Sequence, residues 1–314
     1  MTTDIPKLTR PLRLGTRGSP LALTQARMTI AALAAVHGWG DDAVEIVVIK
    51  TSGDRIQDRA LADVGGKALW TKELDRALID GDIDFAVHSM KDVETIRPEA
   101  FTIAAMLPRA DVRDKLVGVA SLADLPAGAR VGTSSPRRSA QVRRERPDAR
   151  IVLFRGNVDT RLGKMEAGEA DATLLASAGL DRLGRGTIGH PIPIEEMLPA
   201  PAQGAVGIET LVDSGEIRMI LALIDHAPTH ACVAAERAFL AALGADCRSP
   251  VAALATQAGN GLLLRAEILA EDGSECVAGE ARLALESVAI DAAALAHNLL
   301  ASASPSVRAL FTGG

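Results

Sequence analysis

The sequence predicts an α/β protein in which two domains of one architecture precede a small α+β domain. Three observations carry that expectation. A strand running into a Gly/Thr/Ser turn and then a helix occurs twice, at Leu14-Gly15-Thr16-Arg17-Gly18-Ser19-Pro20 and at Val131-Gly132-Thr133-Ser134-Ser135-Pro136. A second echo follows in the same order, Gly81-Asp82-Ile83-Asp84 before one apolar strand and Gly168-Glu169-Ala170-Asp171 before Ala172-Thr173-Leu174-Leu175. Ordered echoes of this kind point to an internal duplication. Beyond residue 227 the pattern changes, and 314 residues are more than one ordinary domain holds.

In chain order, a strand begins at Leu12, and a helix from about Leu21 to Val36 is ended by Gly38. Val44 to Ile49 is rich in β-formers, and Thr51-Ser52-Gly53-Asp54 closes it as a polar loop. After Gly65-Gly66 a helix places Leu69, Leu74, Ala77 and Leu78 on one face and leads to the strand Phe85-Ala86-Val87. Ile151-Val152-Leu153-Phe154 reads as a parallel strand. A helix over Cys232–Leu243, the loop Gly244 to Pro250, a hairpin of Leu262–Leu269 with Glu275–Leu285 around Asp272-Gly273, and a helix over Ile290–Ala303 form the last domain.

Hydrophobic residues make up 48% of the chain but aromatic residues only 2%, so the core must be built from Ala, Val, Leu and Ile. A formal net charge of -6 and few aromatic stacking platforms argue against nucleic acid as a partner. The N-terminus has no apolar stretch of signal-peptide length and no later run is long enough to span a membrane, so a cytoplasmic protein is expected. Yet between Arg130 and Lys164 ten basic residues face three acids. Arg143, Arg144, Arg146 and Arg150 read as a solvated helix face.

A strand, a Gly/Thr/Ser turn and a helix start present unpaired N–H groups and the positive end of a helix dipole, which suits anions. Ser and Thr are also the usual helix caps; Arg17 in one copy, and Arg137 and Arg138 in the other, favour anion binding over ordinary capping. Arg155 follows an apolar strand and Arg161 comes a turn later; ligands of open α/β sheets bind beyond the carboxyl ends of strands. Several arginines imply several carboxylates or phosphates. By the same reasoning His88, Ser89, Lys91 and Asp92 sit at the mouth of the strand Phe85-Ala86-Val87. The pattern leaves two roles open for Asp92: a salt-bridged structural acid, or a carboxylate that steadies a cation or moves protons.

Three widely spaced cysteines, Cys232, Cys247 and Cys276, suit reduced thiols better than disulfides. Cys247 lies in a Gly/Asp/Arg/Ser/Pro loop, and the pattern leaves open whether it is a thiol activated by Arg248 or an ordinary surface cysteine. Gly184-Arg185-Gly186-Thr187-Ile188-Gly189 fits a dinucleotide fingerprint, but Pro191 and Pro193 prevent the helix it must open. His226 and His230 have helical ligand spacing, but Pro228 lies between them and no third ligand is evident, so no metal is expected.

Taken together, the ordered segments Gly15-Thr16-Arg17-Gly18-Ser19-Pro20-Leu21-Ala22-Leu23, Val64-Gly65-Gly66-Lys67, Ala86-Val87-His88-Ser89-Met90-Lys91-Asp92, Val131-Gly132-Thr133-Ser134-Ser135, Arg137-Arg138, Phe154-Arg155-Gly156-Asn157-Val158, Thr160-Arg161-Leu162 and Gln203-Gly204-Ala205 closely resemble the porphobilinogen deaminase family over nearly the whole chain. Three departures stand out. Trp70 replaces a common Phe, Pro136 interrupts the Ser-Ser-x-Arg-Arg stretch, and Arg248-Ser249 replaces Gln followed by Val or Thr.

The resemblance implies a transferase that joins four porphobilinogen molecules head to tail, loses ammonia at each addition and releases hydroxymethylbilane by hydrolysis; a monomer is expected. It implies a dipyrromethane cofactor held through a thioether on Cys247, because sulfur adds readily to an electrophilic methylene pyrrole. Asp92 matches the catalytic aspartate. Lys91, Ser89, Ser134, Arg137, Arg138 and Arg155 match cofactor-binding groups, and Arg17, Ser19, Lys67, Arg161 and Gln203 match substrate-binding groups. It also implies two α/β domains like those of two-lobed solute-binding proteins, residues 1–107 with 204–226 and residues 108–203, and an α+β domain over 227–314. An arginine-rich cleft would then receive the growing chain. The principal rival is an organic-anion-binding protein of the same fold that does no chemistry.

Overall fold

The computed structural model describes residues 8–50 and 71–311. Lys67, Leu69, Trp70, the Gly65-Gly66 pair and the polar loop Thr51-Ser52-Gly53-Asp54 lie outside the described residues. The first half of the chain forms β1 (Leu12–Arg17), α1 (Pro20–His37), β2 (Val44–Ile49), α2 (Lys72–Ile79), β3 (Phe85–Ser89), β4 (Phe101–Met106), β5 (Asp114–Val117), β6 (Arg130–Thr133), α3 (Pro136–Glu145) and β7 (Arg150–Leu153). Then follow α4 (Val158–Glu166), β8 (Ala172–Ala176), α5 (Ser177–Arg182), β9 (His190–Pro191), β10 (Val206–Leu211) and α6 (Gly215–Ala222). The chain ends in α7 (Ala227–Leu243), β11 (Val251–Ala258), β12 (Gly261–Leu269), β13 (Cys276–Leu283), α8 (Val288–Ser302) and α9 (Pro305–Arg308).

The described residues pack as two units. One comprises those within Met1–Ile56, Gly66–Ala110 and Ala205–His230; the other comprises those within Asp111–Gly204 and Ala231–Gly314. The sheet of the first unit has the order β2-β1-β3-β10-β4. β1 is parallel to β2 and β3, and β10 runs antiparallel to β3 and β4. In the second unit the order is β7-β6-β8-β5-β9, with β6 parallel to β7 and β8 and with β5 antiparallel to β8 and β9. Strand for strand the two sheets share one order and one set of directions, as the sequence echoes predict, although in chain order the antiparallel strand comes last in the first sheet, as β10, and first in the second, as β5.

The echoes have a local cause. Ser19 caps α1 by accepting from Ala22 N, and Ser135 caps α3 by accepting from Arg138 N; each is followed by a proline at the first helical position. There proline forfeits no intrahelical hydrogen bond and its fixed φ suits the helix. Pro136 therefore continues the pattern of Pro20 instead of disturbing its helix. Gly15 and Gly132 occupy matching positions on β1 and β6, and a Cβ at either would collide with Ile83 or with the Phe154 ring.

Each sheet buries its own aliphatic core. Leu14, Leu33, Phe85 and Ile208 are fully enclosed in the first unit, as are Leu116, Val131, Val142 and Leu174 in the second. Each such side chain contributes roughly 1.5–3 kcal/mol relative to exposure. β7 lies at a sheet edge, and its Leu153 is 46% exposed despite the apolar run around it.

The second unit also holds the antiparallel sheet β11-β12-β13, whose core packs Phe239, Leu264, Ile268 and Ala296 between sheet and helices. β12 and β13 are the expected hairpin. β11 was not expected: its alanine-rich run, Val-Ala-Ala-Leu-Ala-Thr-Gln-Ala, lacks the alternation that marks a strand, because five successive residues are buried. The helix expected from Cys232 begins earlier, at Ala227.

Candidate active site

In the first unit β1 and β3 are parallel neighbours, so their carboxyl ends lie side by side, and α1 starts immediately after β1. Arg17, Ser19, Gln25, Thr71, His88, Ser89 and Asp92 line one pocket at this place. Arg17 ends β1 and Ser19 caps α1. His88 and Ser89 end β3, and Asp92 closes the 3-10 turn Met90–Asp92. Lys91, on the same turn, is half-buried and does not line this pocket.

Gln25 was missed in the sequence. It sits on the buried face of α1, donates to Ser89 Oγ at 2.8 Å and fixes the end of β3 to the helix. A glutamine among apolar helix positions was the available signal. His88 is buried with Nε2 3.0 Å from Glu209 Oε2 of β10. Burial alone would raise the Glu209 carboxyl, but His88 and Arg97 hold it below its ordinary range.

In the second unit the cationic groups divide. Arg137 and Arg138 are buried, and each places Nη2 2.6 Å from an oxygen of Asp114, at the start of β5. Arg137 Nη1 also donates to Gln141 and the Leu198 carbonyl, and Arg138 Nη1 to the Leu174 carbonyl. Burial would raise Asp114, yet the two guanidinium charges hold it well below the ordinary carboxylate range. Burial pulls Arg137 down, but a guanidinium stays charged in proteins. Two cations on one carboxylate leave a net charge of +1, and the buried Nε atoms of both arginines have no hydrogen-bond partner. Gln203 Nε2 donates to the same Asp114 at 2.9 Å. Arg155 is buried just past β7, Arg161 is half-buried on α4, and Ser134 is half-buried between β6 and α3.

The expected solvated face is only partly so. Arg146 donates to the carbonyls of Leu122, Leu125 and Pro126, while Arg144 reaches the Glu196 carbonyl, Glu267 and Cys276. Long side chains at the edge of a helix reached carbonyls that no local pattern announces. Arg182 is a further half-buried cation that the sequence reading passed over. It ends α5 directly after β8, donates through Nη2 to the Gly204 carbonyl at 2.7 Å, and its buried Nε is unpartnered.

Cys247 is exposed on a turn, whereas Cys232 is buried on α7 and Cys276 is half-buried at the start of β13. Arg248 grips Asp246, with Nη2 2.5 Å from Oδ2 and Nε 3.0 Å from the same oxygen. Its charge is thus shared with a carboxylate and is not reserved for the neighbouring thiol.

Two sheets of one strand order, with arginines and hydroxyls beyond their strand ends and an exposed thiol on a separate turn, define a two-sheet α/β protein with a polar pocket at the strand ends of its first sheet. Residues 12–219 match the family described as porphobilinogen deaminase, dipyromethane cofactor binding domain, and residues 230–301 match its C-terminal domain. The chain is 60% identical over 307 residues to a porphobilinogen deaminase of Sphingopyxis alaskensis, covering 96% of each chain. It is 51% identical over 281 residues to that of Paracoccus denitrificans, covering 88% of this chain and 90% of the other. The chain belongs to the porphobilinogen deaminase family. The second substrate-binding domain of a putative amino acid ABC transporter from Streptococcus pneumoniae Canada MDR_19A aligns at 14% identity and a TM-score of 0.41, over 68% of this chain and 90% of that one, a likeness too distant to bear on function.

Proposed function

We propose that this chain is a hydroxymethylbilane synthase: a transferase that condenses four porphobilinogen molecules with loss of ammonia and releases hydroxymethylbilane by hydrolysis. The family match over both parts of the chain carries the reading. A dipyrromethane bound through a thioether to Cys247 would supply the primer on which the product is assembled. The residues present fit such a polyanion: the Asp114 triad keeps a positive charge and two unpartnered donors, and Cys247 is exposed.

Arg137, Arg138, Arg155 and Ser134 would hold the cofactor carboxylates, with Ser89 and Lys91 as further contacts. Arg17, Ser19, Arg161, Gln203 and Lys67 would hold those of the substrate, and Arg182 joins this set. Each arginine fork suits a planar carboxylate. Asp92, in the pocket with Arg17 and Ser19, accepts hydrogen bonds from pyrrole N–H groups and offsets the positive charge that develops as ammonia leaves. The chain reads as three domains, 1–107 with 204–226, 108–203 and 227–314, and works as a monomer without nucleic acid. Among the described residues no helix is long and apolar enough to cross a membrane, and three cysteines outside any disulfide favour the cytoplasm.

The test is the intact mass of the denatured protein. An adduct of dipyrromethane mass is expected in the wild type, in Cys232→Ala and in Cys276→Ala, and is absent from Cys247→Ala. An unmodified mass from a catalytically active preparation overturns the reading.

A further inference from the structure

Arg97 lies beyond the turn that carries Asp92, and its guanidinium is almost wholly enclosed, with 8% of the side chain exposed. It ties together three carboxylates from different segments. Nη2 meets Asp75 of α2 at 2.5 Å, Nη1 meets Glu94 at 2.7 Å, and Nε meets Glu209 of β10 at 2.8 Å. Nη1 also donates to Thr71 at 3.2 Å, and the guanidinium lies 5.0 Å from the centre of the Phe101 ring. The network ends on two groups of the pocket wall. Glu209 Oε2 meets His88, and Glu94 accepts from Thr71 at 2.8 Å.

One guanidinium among three carboxylates holds together what would otherwise repel. Remove it, and Asp75, Glu94 and Glu209 become like charges sharing a poorly solvated site. Glu94 is two residues from Asp92, so its displacement is transmitted to the turn. A lysine would restore the charge but not the five-donor fork.

We propose that Arg97 is a positioning residue for the reaction: through Glu94 and Glu209 it sets the Lys91-Asp92 turn and the Thr71 and His88 wall of the pocket. The proposal rests on the functional reading above. It is tested in the cofactor-loaded protein by steady-state kinetics and by hydrogen exchange at the amides of residues 89–94. Arg97→Gln is expected to lower kcat on the order of 10-fold while KM for porphobilinogen changes less than about 3-fold, because misplacement costs turnover more than binding. Exchange at 89–94 rises, and Arg97→Lys recovers part of both. Should Arg97→Gln fail to fold, Glu94→Gln reads the same link, with a kcat loss of about 3-fold. A folded variant with wild-type kcat and wild-type exchange at 89–94 overturns the proposal, even if its melting temperature falls. If the wild type consumes no porphobilinogen, the functional reading fails, and the exchange measurement alone decides the role of Arg97.

Discussion

Arg138 Nη2 sits 2.6 Å from Oδ1 of Asp114, a carboxylate with no solvent exposure. Arg137 takes the other oxygen at the same distance. A single anion at the start of β5 thereby allows two adjacent guanidiniums to be buried in the first turn of α3. It also aligns them with Gln203, which donates to Oδ1.

Asp114→Asn is expected to destabilise the protein by about 3–5 kcal/mol, since it leaves two buried cations without their counter-charge. The pH dependence has a definite sign. A carboxyl held below its ordinary value contributes stability above the unfolded-state pKa of about 3.9 and loses it as pH falls toward the folded value. Urea unfolding should therefore give a constant gap between wild type and variant from about pH 8 to pH 5, narrowing only below about pH 4. A gap that closes near neutrality would show that the triad is not what stabilises this region.

Thiol modification should discriminate the three cysteines. In protein freed of any adduct, an alkylating reagent is expected to label Cys247 first, because it is exposed. Burial and nearby Glu267 push the Cys276 thiol up, so it reacts slowly, and Cys232 is shielded until the protein unfolds. Peptide mapping after timed quenching reads the order. Labelling of Cys276 ahead of Cys247 would contradict it.

What was legible in the sequence was whatever repeats or ends locally. Ser19-Pro20 and Ser135-Pro136 announce helix starts, and Gly15 and Gly132 mark matching close approaches. The residues of the Asp92 turn follow from one apolar strand. Partners distant in sequence were not legible. Asp114 lies 23 positions before Arg137 on a strand of its own, and Glu209 reaches His88 only because β10 returns to pair with β3. Nothing in either local pattern encodes that pairing. The sequence assigned Arg137 and Arg138 to an anion, and the anion they meet in the fold is Asp114, a carboxylate of the chain itself that no local pattern announces.

Asp92→Asn keeps the shape of the side chain but removes its charge and its capacity to take a proton. Loss of a positioned acid-base or charge-stabilising group typically lowers rates by about 100- to 10,000-fold, and a fall in that range is expected for porphobilinogen consumption. Asp92 is half-buried at the pocket and outside the hydrophobic clusters, so the melting curve should barely move. A near-normal rate would remove Asp92 from the chemistry.

Ala202 has φ 61°, a left-handed conformation that side chains with a Cβ rarely adopt, and among the described residues it is the only non-glycine with positive φ. The conformation is held from below by Glu236, a buried carboxylate of α7 that accepts from Ala202 N at 2.5 Å and from Ala255 N at 2.8 Å. The next residue is Gln203, so this anchor also places the amide that reaches Asp114. Relieving the left-handed strain with Ala202→Gly returns about 1–2 kcal/mol. The extra freedom of glycine in the unfolded chain takes back about 0.5–1 kcal/mol. The net expectation is a stabilisation of about 0–1.5 kcal/mol. Glu236→Ala acts in the opposite direction, leaving two buried N–H groups without an acceptor at about 1–3 kcal/mol each. Chemical denaturation of both variants checks the pair. A destabilised Ala202→Gly protein would mean that the Ala202 methyl packs well enough to outweigh its strain.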